Sequence, residues 1–96
     1  MRGQVTIDRT LRALGDPTRR EILRALRLAG DLPAGEIAAR FPLTQASVSH
    51  HLTVLKEAGL VQAERQGRSI VYSLNMTVFQ ETVEQVLRLL DAGGKS

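Results

Sequence analysis

The chain of 96 residues contains no cysteine and no tryptophan. The lack of cysteine excludes disulfide bonds, thiolate metal sites, cysteine nucleophiles and thiol redox switches together. No apolar run approaches the roughly 20 residues of a membrane-spanning helix, and the segment MRGQVTIDRT lacks the apolar centre of a signal peptide. We therefore expect a single cytoplasmic domain that spans residues 1–96.

Aromatic residues are also scarce, since Phe41, Tyr72 and Phe79 are the only three. RNA-binding modules usually stack bases on exposed aromatic rings, and these three residues occupy core-like positions. Catalysis is equally unsupported, because no serine lies in a nucleophile elbow and no histidine-rich metal motif is present. The sequence predicts neither an enzyme nor a cofactor.

The charge that is present is mostly arginine. The formal net charge is +3, and 11 of the 13 basic residues are arginine. Residues 1–30 hold seven arginines against three acidic residues. Arginine forms bidentate contacts with phosphate oxygens, so this bias favours a nucleic-acid surface.

Helical spacing organises the first half of the chain. Ile7, Leu11 and Leu14 share one face of a first short helix, and Asp16-Pro17 is a typical start for a second, which runs to Gly30. Pro33 can open a third helix that Pro42 stops, and the next begins only a few residues later. Two helices joined so closely are typical of a helix-turn-helix.

The fourth predicted helix, about 44–58, carries an unusual polar face. Thr44 caps it, Gly59 ends it, and Val48, Leu52 and Leu55 share its apolar side. No Asp, Glu, Lys or Arg lies between Thr44 and Leu55, and a short neutral face that can form hydrogen bonds suits the major groove of DNA. His51 falls about 60° from Val48 on a helical wheel, so we expect it to be packed and hydrogen-bonded to backbone.

The pattern after Leu60 changes to a period of two. Two strands within about 61–74 are predicted to form a hairpin around the turn Gln66-Gly67, with Arg65 and Arg68 at its tip. Asn75 or Thr77 caps a last helix, about 77–91, whose apolar stripe is too wide for a helix that stands alone. Residues 93–96 are predicted to form a flexible tail.

These segments in this order resemble the ArsR/SmtB family of winged helix-turn-helix repressors. The resemblance covers Leu11 to Leu74 and lies in LRALGDPTRREILRAL, EIAARFPLTQASVSHHLTVLKEAGLV and RQGRSIVYSL. The following piece, SLNMTVFQ, is similar to the SdpR-type autorepressor branch. The family implies a mainly α fold with a small β-hairpin, in the order α-α-α-α-β-β-α, that forms a homodimer through its first and last helices.

The resemblance also assigns candidate residues. It places base reading on Gln45, Ser47, Ser49 and His50, and DNA backbone contacts on Thr44, Arg65 and Arg68, with Arg19 and Arg20 as weaker candidates. The implied dimer interface uses apolar residues of the two terminal helices, namely Ile7, Leu11, Leu14, Phe79, Val83, Val86 and Leu90. The alternative is that both helices simply cover the core of a monomer.

The implied function is that of a repressor that binds an inverted-repeat operator in double-stranded DNA. The similarity to the autorepressor branch further implies that the protein represses its own gene. Many family members release DNA when a metal binds, but here the third helix lacks cysteine and the last offers Glu81, Glu84 and Asp91 without histidine. We therefore predict no metal site. Regulation by a small inducer or by an antagonist protein is left open. The alternative function is a winged helix used for protein or RNA contact.

Overall fold

The computed structural model describes residues 7–91, in which five helices surround one small sheet. The predicted tail at 93–96 lies outside the described residues. The elements in chain order are α1 (Ile7–Leu14), α2 (Pro17–Ala29), β1 (Leu32–Pro33), α3 (Ala34–Ala39), α4 (Gln45–Glu57), β2 (Val61–Gln66), β3 (Ser69–Leu74) and α5 (Met76–Asp91).

Three helices begin at capping side chains that accept the backbone N–H three residues further along. The distances are 3.0 Å for Asp16, 3.0 Å for Thr44 and 3.3 Å for Asn75. Each bond satisfies a donor that the first turn of a helix leaves unpaired. The predicted caps of α2 and α4 are confirmed, and Asn75 rather than Thr77 begins α5.

The end of α4 is a Schellman motif. Gly59 has a φ of 82°, its N–H donates to the carbonyl of Lys56 at 2.9 Å, and the N–H of Leu60 donates to the carbonyl of Leu55 at 3.0 Å. The two leucines are both fully buried, which supplies the apolar contact that accompanies this motif. Gly59 thus turns the chain directly from α4 into β2.

The sheet contains a strand that the sequence analysis did not predict. The strand order is β1-β3-β2, and Leu32 and Pro33 of β1 pair antiparallel with Tyr72 and Val71 of β3. Pro33 therefore precedes α3 in extended conformation and does not open it, and its side chain forms no capping hydrogen bond. A two-residue strand is too short to show a period of two, which is why the pattern missed it.

The hairpin has the predicted strands but a turn shifted by one residue. Arg65 pairs with Ile70 and Gln66 pairs with Ser69, so Gly67 and Arg68 are the two turn residues. Gly67 has a φ of 63° and Arg68 has a negative φ, as in a type II′ turn, in which glycine takes the first central position. Arg68 therefore occupies the very tip of the hairpin.

The core lies where α2, α3 and α4 meet the base of the hairpin. The three apolar residues predicted for the inner side of α4 are all buried. The largest fully buried aliphatic side chains of the core are Ile22, Ile37, Val48, Leu55, Leu60 and Val61. This packing fixes α4 against the rest of the molecule along one side only. Within residues 7–91, no helix combines the length and the apolar character needed to cross a bilayer.

Candidate DNA interface

The side of α4 opposite the core is exposed and uncharged over its first two turns. Gln45, Ser49 and His50 are exposed, while Ser47 is half-buried. Thr44 Oγ1 accepts the Ser47 N–H, and its own hydroxyl hydrogen can still be donated to a phosphate oxygen. All five of these candidate residues therefore lie at the N-terminal end of α4, the end with which recognition helices read bases.

The helical positions separate these candidates into an outer face and two flanks. At about 100° per residue, His50 and Ala46 lie roughly 150–170° from the centre of the buried stripe, and Ser47 and Ser49 lie about 90–110° from it. Gln45 is closer still to the buried side and, with Ser49, lines the cleft between α3 and α4. Ala46 is therefore an outward-facing position of α4 that was not among the predicted base-reading residues, and a methyl group at such a position can contact a thymine methyl.

The hairpin presents its arginines where they were predicted. Arg65 and Arg68 are both exposed. Arg65 Nη1 donates to the carbonyl of Gly67 at 3.4 Å, which folds this side chain along the turn, whereas Arg68 forms no such bond within the described chain. The tip therefore offers two guanidinium groups that no carboxylate of residues 7–91 neutralises.

The structure gives Arg19 a different role from the predicted contact with DNA. Its Nε donates to the carbonyl of Ala13 at 2.8 Å, one Nη donates to the carbonyl of Arg12 at 3.2 Å, and the other lies 3.3 Å from His51 Nδ1. These carbonyls end α1, where a helix leaves acceptors unpaired and its dipole favours a cation. Arg19 therefore joins the end of α1 to α4.

His51 is packed, as predicted, but its partners are side chains rather than backbone. Its side chain is 15% exposed, and Nδ1 lies 3.9 Å from Asp16 Oδ2 and beside the Arg19 guanidinium. Because a guanidinium only donates, Nδ1 accepts, and a neutral ring carries its proton on Nε2. The Arg19 backbone N–H, which donates to Asp16, is the main cause that lowers the pKa of this carboxyl, and the charge of the Arg19 guanidinium adds to it.

Arg20 and Arg9 also bind helix ends. Arg20 Nη1 donates to the carbonyl of Leu14 at 2.8 Å, and Arg9 Nη1 donates to the carbonyl of Glu57, the last residue of α4, at 3.4 Å. Part of the arginine bias of residues 1–30 thus serves helix capping, and a DNA surface formed by these arginines stays a prediction. Of the arginines predicted to contact the DNA backbone, Arg65 and Arg68 are the two whose guanidinium groups are exposed at the hairpin tip.

The terminal helices divide the predicted dimer residues into two groups. Leu14 and Phe79 pack against the core of the same chain, as the monomer alternative required. In contrast, Leu11 is 42% exposed, Val83 56% and Leu90 79%, while Ile7 and Val86 are half-buried. Leu87 and Leu89 widen the uncovered stripe of α5. The apolar surface that needs a cover is therefore the outer half of α5 together with Leu11.

A metal of the kind that many family members sense does not fit these residues. The chain has no cysteine, and its two histidines are adjacent on α4, with ring centroids 5.8 Å apart. Within residues 7–91, no three His, Asp or Glu side chains form a group that could hold a metal ion. The carboxylates of α5 instead lie along its surface, where Glu84 pairs with Arg88 at 3.8 Å.

The helix pair α3–α4 followed by a basic-tipped hairpin defines the winged helix-turn-helix class of transcriptional regulators. Known proteins agree with this assignment. A family model described as bacterial regulatory protein, arsR family, matches residues 16–63. The transcriptional repressor SdpR of Bacillus subtilis (strain 168) is 41% identical over 87 residues, which are 91% of this chain and 96% of that protein. The chain belongs to the ArsR family.

Solved structures show the same architecture. An ArsR-like transcriptional regulator from Rhodococcus sp. RHA1 superposes with a TM-score of 0.77 at 32% identity, over 86% of this chain and 77% of that one. The homodimeric winged helix-turn-helix DNA-binding domain of Mb0332 from Mycobacterium bovis superposes with a TM-score of 0.71 at 24% identity, over 94% and 82% of the two chains. The predicted fold class is confirmed, apart from the added strand β1.

Proposed function

We propose that the chain is a repressor that binds an inverted-repeat operator in double-stranded DNA as a homodimer. The observation that carries this proposal is the neutral, exposed end of α4 beside an arginine-tipped hairpin. The hairpin supplies attraction to phosphate, which leaves the face of α4 free to distinguish bases. The Bacillus relative, which is named a transcriptional repressor, favours repression over activation.

The proposed interface assigns one kind of contact to each element. Base edges are read by Ala46 and His50 on the outer face of α4, with Gln45, Ser47 and Ser49 on its flanks. Backbone contacts come from Thr44, Arg65 and Arg68. We leave Arg19 and Arg20 out of this interface, because their guanidinium groups bind the end of α1.

The homodimer is proposed to form through α5 and α1. The exposed apolar stripe of α5, with Leu11 beside it, needs a cover that residues 7–91 of one chain do not provide. The Mycobacterium bovis domain of the same fold is a homodimer. A twofold dimer would place two α4 helices in successive major grooves about 34 Å apart.

The first experiment selects duplexes that bind the full-length protein from a random pool. We expect an inverted repeat whose half-site centres lie about 10 base pairs apart. The DNA upstream of the protein's own gene is then footprinted, because autoregulation predicts a copy of the repeat there. Selection of RNA, or of no nucleic acid, would contradict the proposal and favour a winged helix used for RNA or protein contact.

Variants then test the division of contacts. His50→Ala and Gln45→Ala should each cost about 1–3 kcal/mol on the selected operator and relax the preference at one base pair. Gln62→Ala, an exposed glutamine of β2, is the matched control and should change nothing. Arg68→Ala should weaken binding to every duplex and lower the salt slope by about one per protomer, whereas Arg88→Ala should not.

The oligomeric state is measured by light scattering. We expect a dimer for the natural chain and a monomer for Val83→Glu combined with Leu90→Glu, since two charges would lie in the covered stripe. Leu43→Glu, an exposed leucine outside the terminal helices, is the control and should remain dimeric. A monomeric natural chain at micromolar concentration would contradict the proposed dimer.

We also infer that the protein works in the cytoplasm, because its proposed DNA target lies in the cytoplasm.

A further inference from the structure

A groove between α2 and the start of α5 has an apolar floor. Its volume is about 450 Å³, within the range of small-molecule sites, which is roughly 300–1,000 Å³. The apolar residues that line it come from α1, α2, the end of β3 and α5, namely Leu14, Leu23, Leu28, Leu74, Met76 and Phe79. Two of them remain open to solvent, since Leu28 is 74% exposed and Met76 is 49% exposed.

Three arginines form the rim of this groove. Arg20, Arg24 and Arg27 line it at the spacing i, i+4 and i+7, which places them along one side of α2. In the part of the chain that the structure describes, none of the three forms a salt bridge. Arg20 uses one N–H for the carbonyl of Leu14, and a guanidinium has five. The groove is thus an apolar cleft with uncompensated positive charge on one edge.

The groove lies away from the tip of the hairpin. Leu74 is at the base of the hairpin, and the turn at Gly67 precedes the other end of β3, six paired residues away, which is about 20 Å for an extended strand. The rim arginines therefore are not needed to explain contacts at the tip of the hairpin. The groove instead adjoins both α2, which packs against α4, and α5, the proposed dimer helix.

We propose that this groove binds an amphipathic organic anion, of the class of medium-chain carboxylates. The carboxylate would accept charge-assisted hydrogen bonds from Arg24 and Arg27, and the alkyl chain would cover the leucine and methionine side chains of the floor. Charge complementarity selects this occupant, because a neutral or cationic amphiphile would bring no negative charge to the exposed guanidinium groups. The proposal concerns DNA-free protein, so it stands independently of the proposed operator binding.

The test is calorimetric titration of the full chain with decanoate below its micelle concentration, beside neutral decanol and cationic decylamine. We expect saturable binding of one decanoate per protomer, and at least about tenfold weaker binding of the other two, which is the loss of one charge-assisted hydrogen bond. Amide NMR shifts should cluster at Leu28, Met76 and their neighbours. Equal affinity for all three amphiphiles, or shifts confined to other elements, would overturn the proposal.

Variants at exposed positions separate ligand binding from folding. Arg24→Gln combined with Arg27→Gln should weaken decanoate about tenfold and decanol less than about twofold, since only the ion loses a partner. Leu28→Gln should weaken both amphiphiles, and Arg88→Gln, the matched control on α5, should weaken neither. If Leu28→Gln instead dissociates the dimer in light scattering, a second copy of the chain covers the groove and the proposal is wrong.

Discussion

Replacing Arg19 by alanine tests whether this side chain supports the fold or binds DNA. The structure predicts a loss of stability, because the guanidinium joins the last carbonyls of α1 to His51 on α4. Alanine would leave two carbonyls of the α1 C-terminal turn without this donor and would remove a cation from the negative end of the helix dipole. No direct loss of DNA contact is expected.

The magnitude follows from the three contacts. The 2.8 Å bond to the Ala13 carbonyl is partly buried and should contribute about 1.5 kcal/mol, as a hydrogen bond from a charged group. The 3.2 Å and 3.3 Å contacts to Arg12 and His51 are longer, and the first is also exposed to solvent, so together they add about 0.5–1 kcal/mol. The expected destabilisation is therefore about 2 kcal/mol, or a fall in Tm of roughly 8–16 °C.

The assay is urea unfolding at one fixed protein concentration, because a dimer's stability depends on concentration. Arg20→Ala is the matched control, since it removes one exposed bond to Leu14 and should cost only about 0.5–1 kcal/mol. Operator affinity is measured well below the melting temperature and should change less than about twofold for Arg19→Ala. Unchanged stability with weaker DNA binding and a smaller salt slope would refute this reasoning and restore Arg19 as a phosphate contact.

Three further predictions concern protonation, the hairpin turn and metal. The pKa of the Asp16 carboxyl should lie below its usual value of 3.8, chiefly because the Arg19 backbone N–H donates to this carboxyl. The contribution of the ionised carboxyl to stability is therefore complete above pH 3.8 and is lost as the pH falls through the folded-state pKa. A carboxyl NMR midpoint at or above 3.8 contradicts this cause. Gly67→Ala should destabilise by about 1–2 kcal/mol because of its positive φ, whereas Gly35→Ala in α3 should stabilise by about 0.4–1 kcal/mol; urea unfolding compares the two. Zinc or chelator should leave operator affinity unchanged, and a clear shift in a DNA titration would reveal a metal site that these residues do not suggest.

Much of the fold was readable from the sequence because its signals are local. Asp16, Thr44 and Asn75 cap helices through their own backbone neighbours, and Gly59 ends α4 through its positive φ. The apolar side of α4 follows from spacing alone. Strand β1 could not be predicted in this way, since Leu32 and Pro33 form a strand only because β3, almost 40 residues later, lies beside them.

The candidate interface was predictable in part for the same reason. The uncharged face of α4 and the arginines of the hairpin are visible in the sequence, and the structure exposes both. Helical spacing alone puts Ala46 on the outer face of α4, but Ala46 was not predicted to read bases because its methyl group offers no hydrogen bond. The role of Arg19 was missed because an arginine suits phosphate and a helix C-terminus equally well, and the choice depends on which acceptor lies near it.

By itself, the sequence determined the helices, the hairpin and the neutral face of α4, since periodicity, caps and turn residues act within a few positions along the chain. Only the tertiary structure decided which charges are available. It turned Arg9, Arg19 and Arg20 towards helix ends, left Arg68 open at the hairpin tip, and set Arg24 and Arg27 above an apolar groove. The physical reason is that a guanidinium binds whatever acceptor the fold brings within about 3 Å, and composition cannot state that distance.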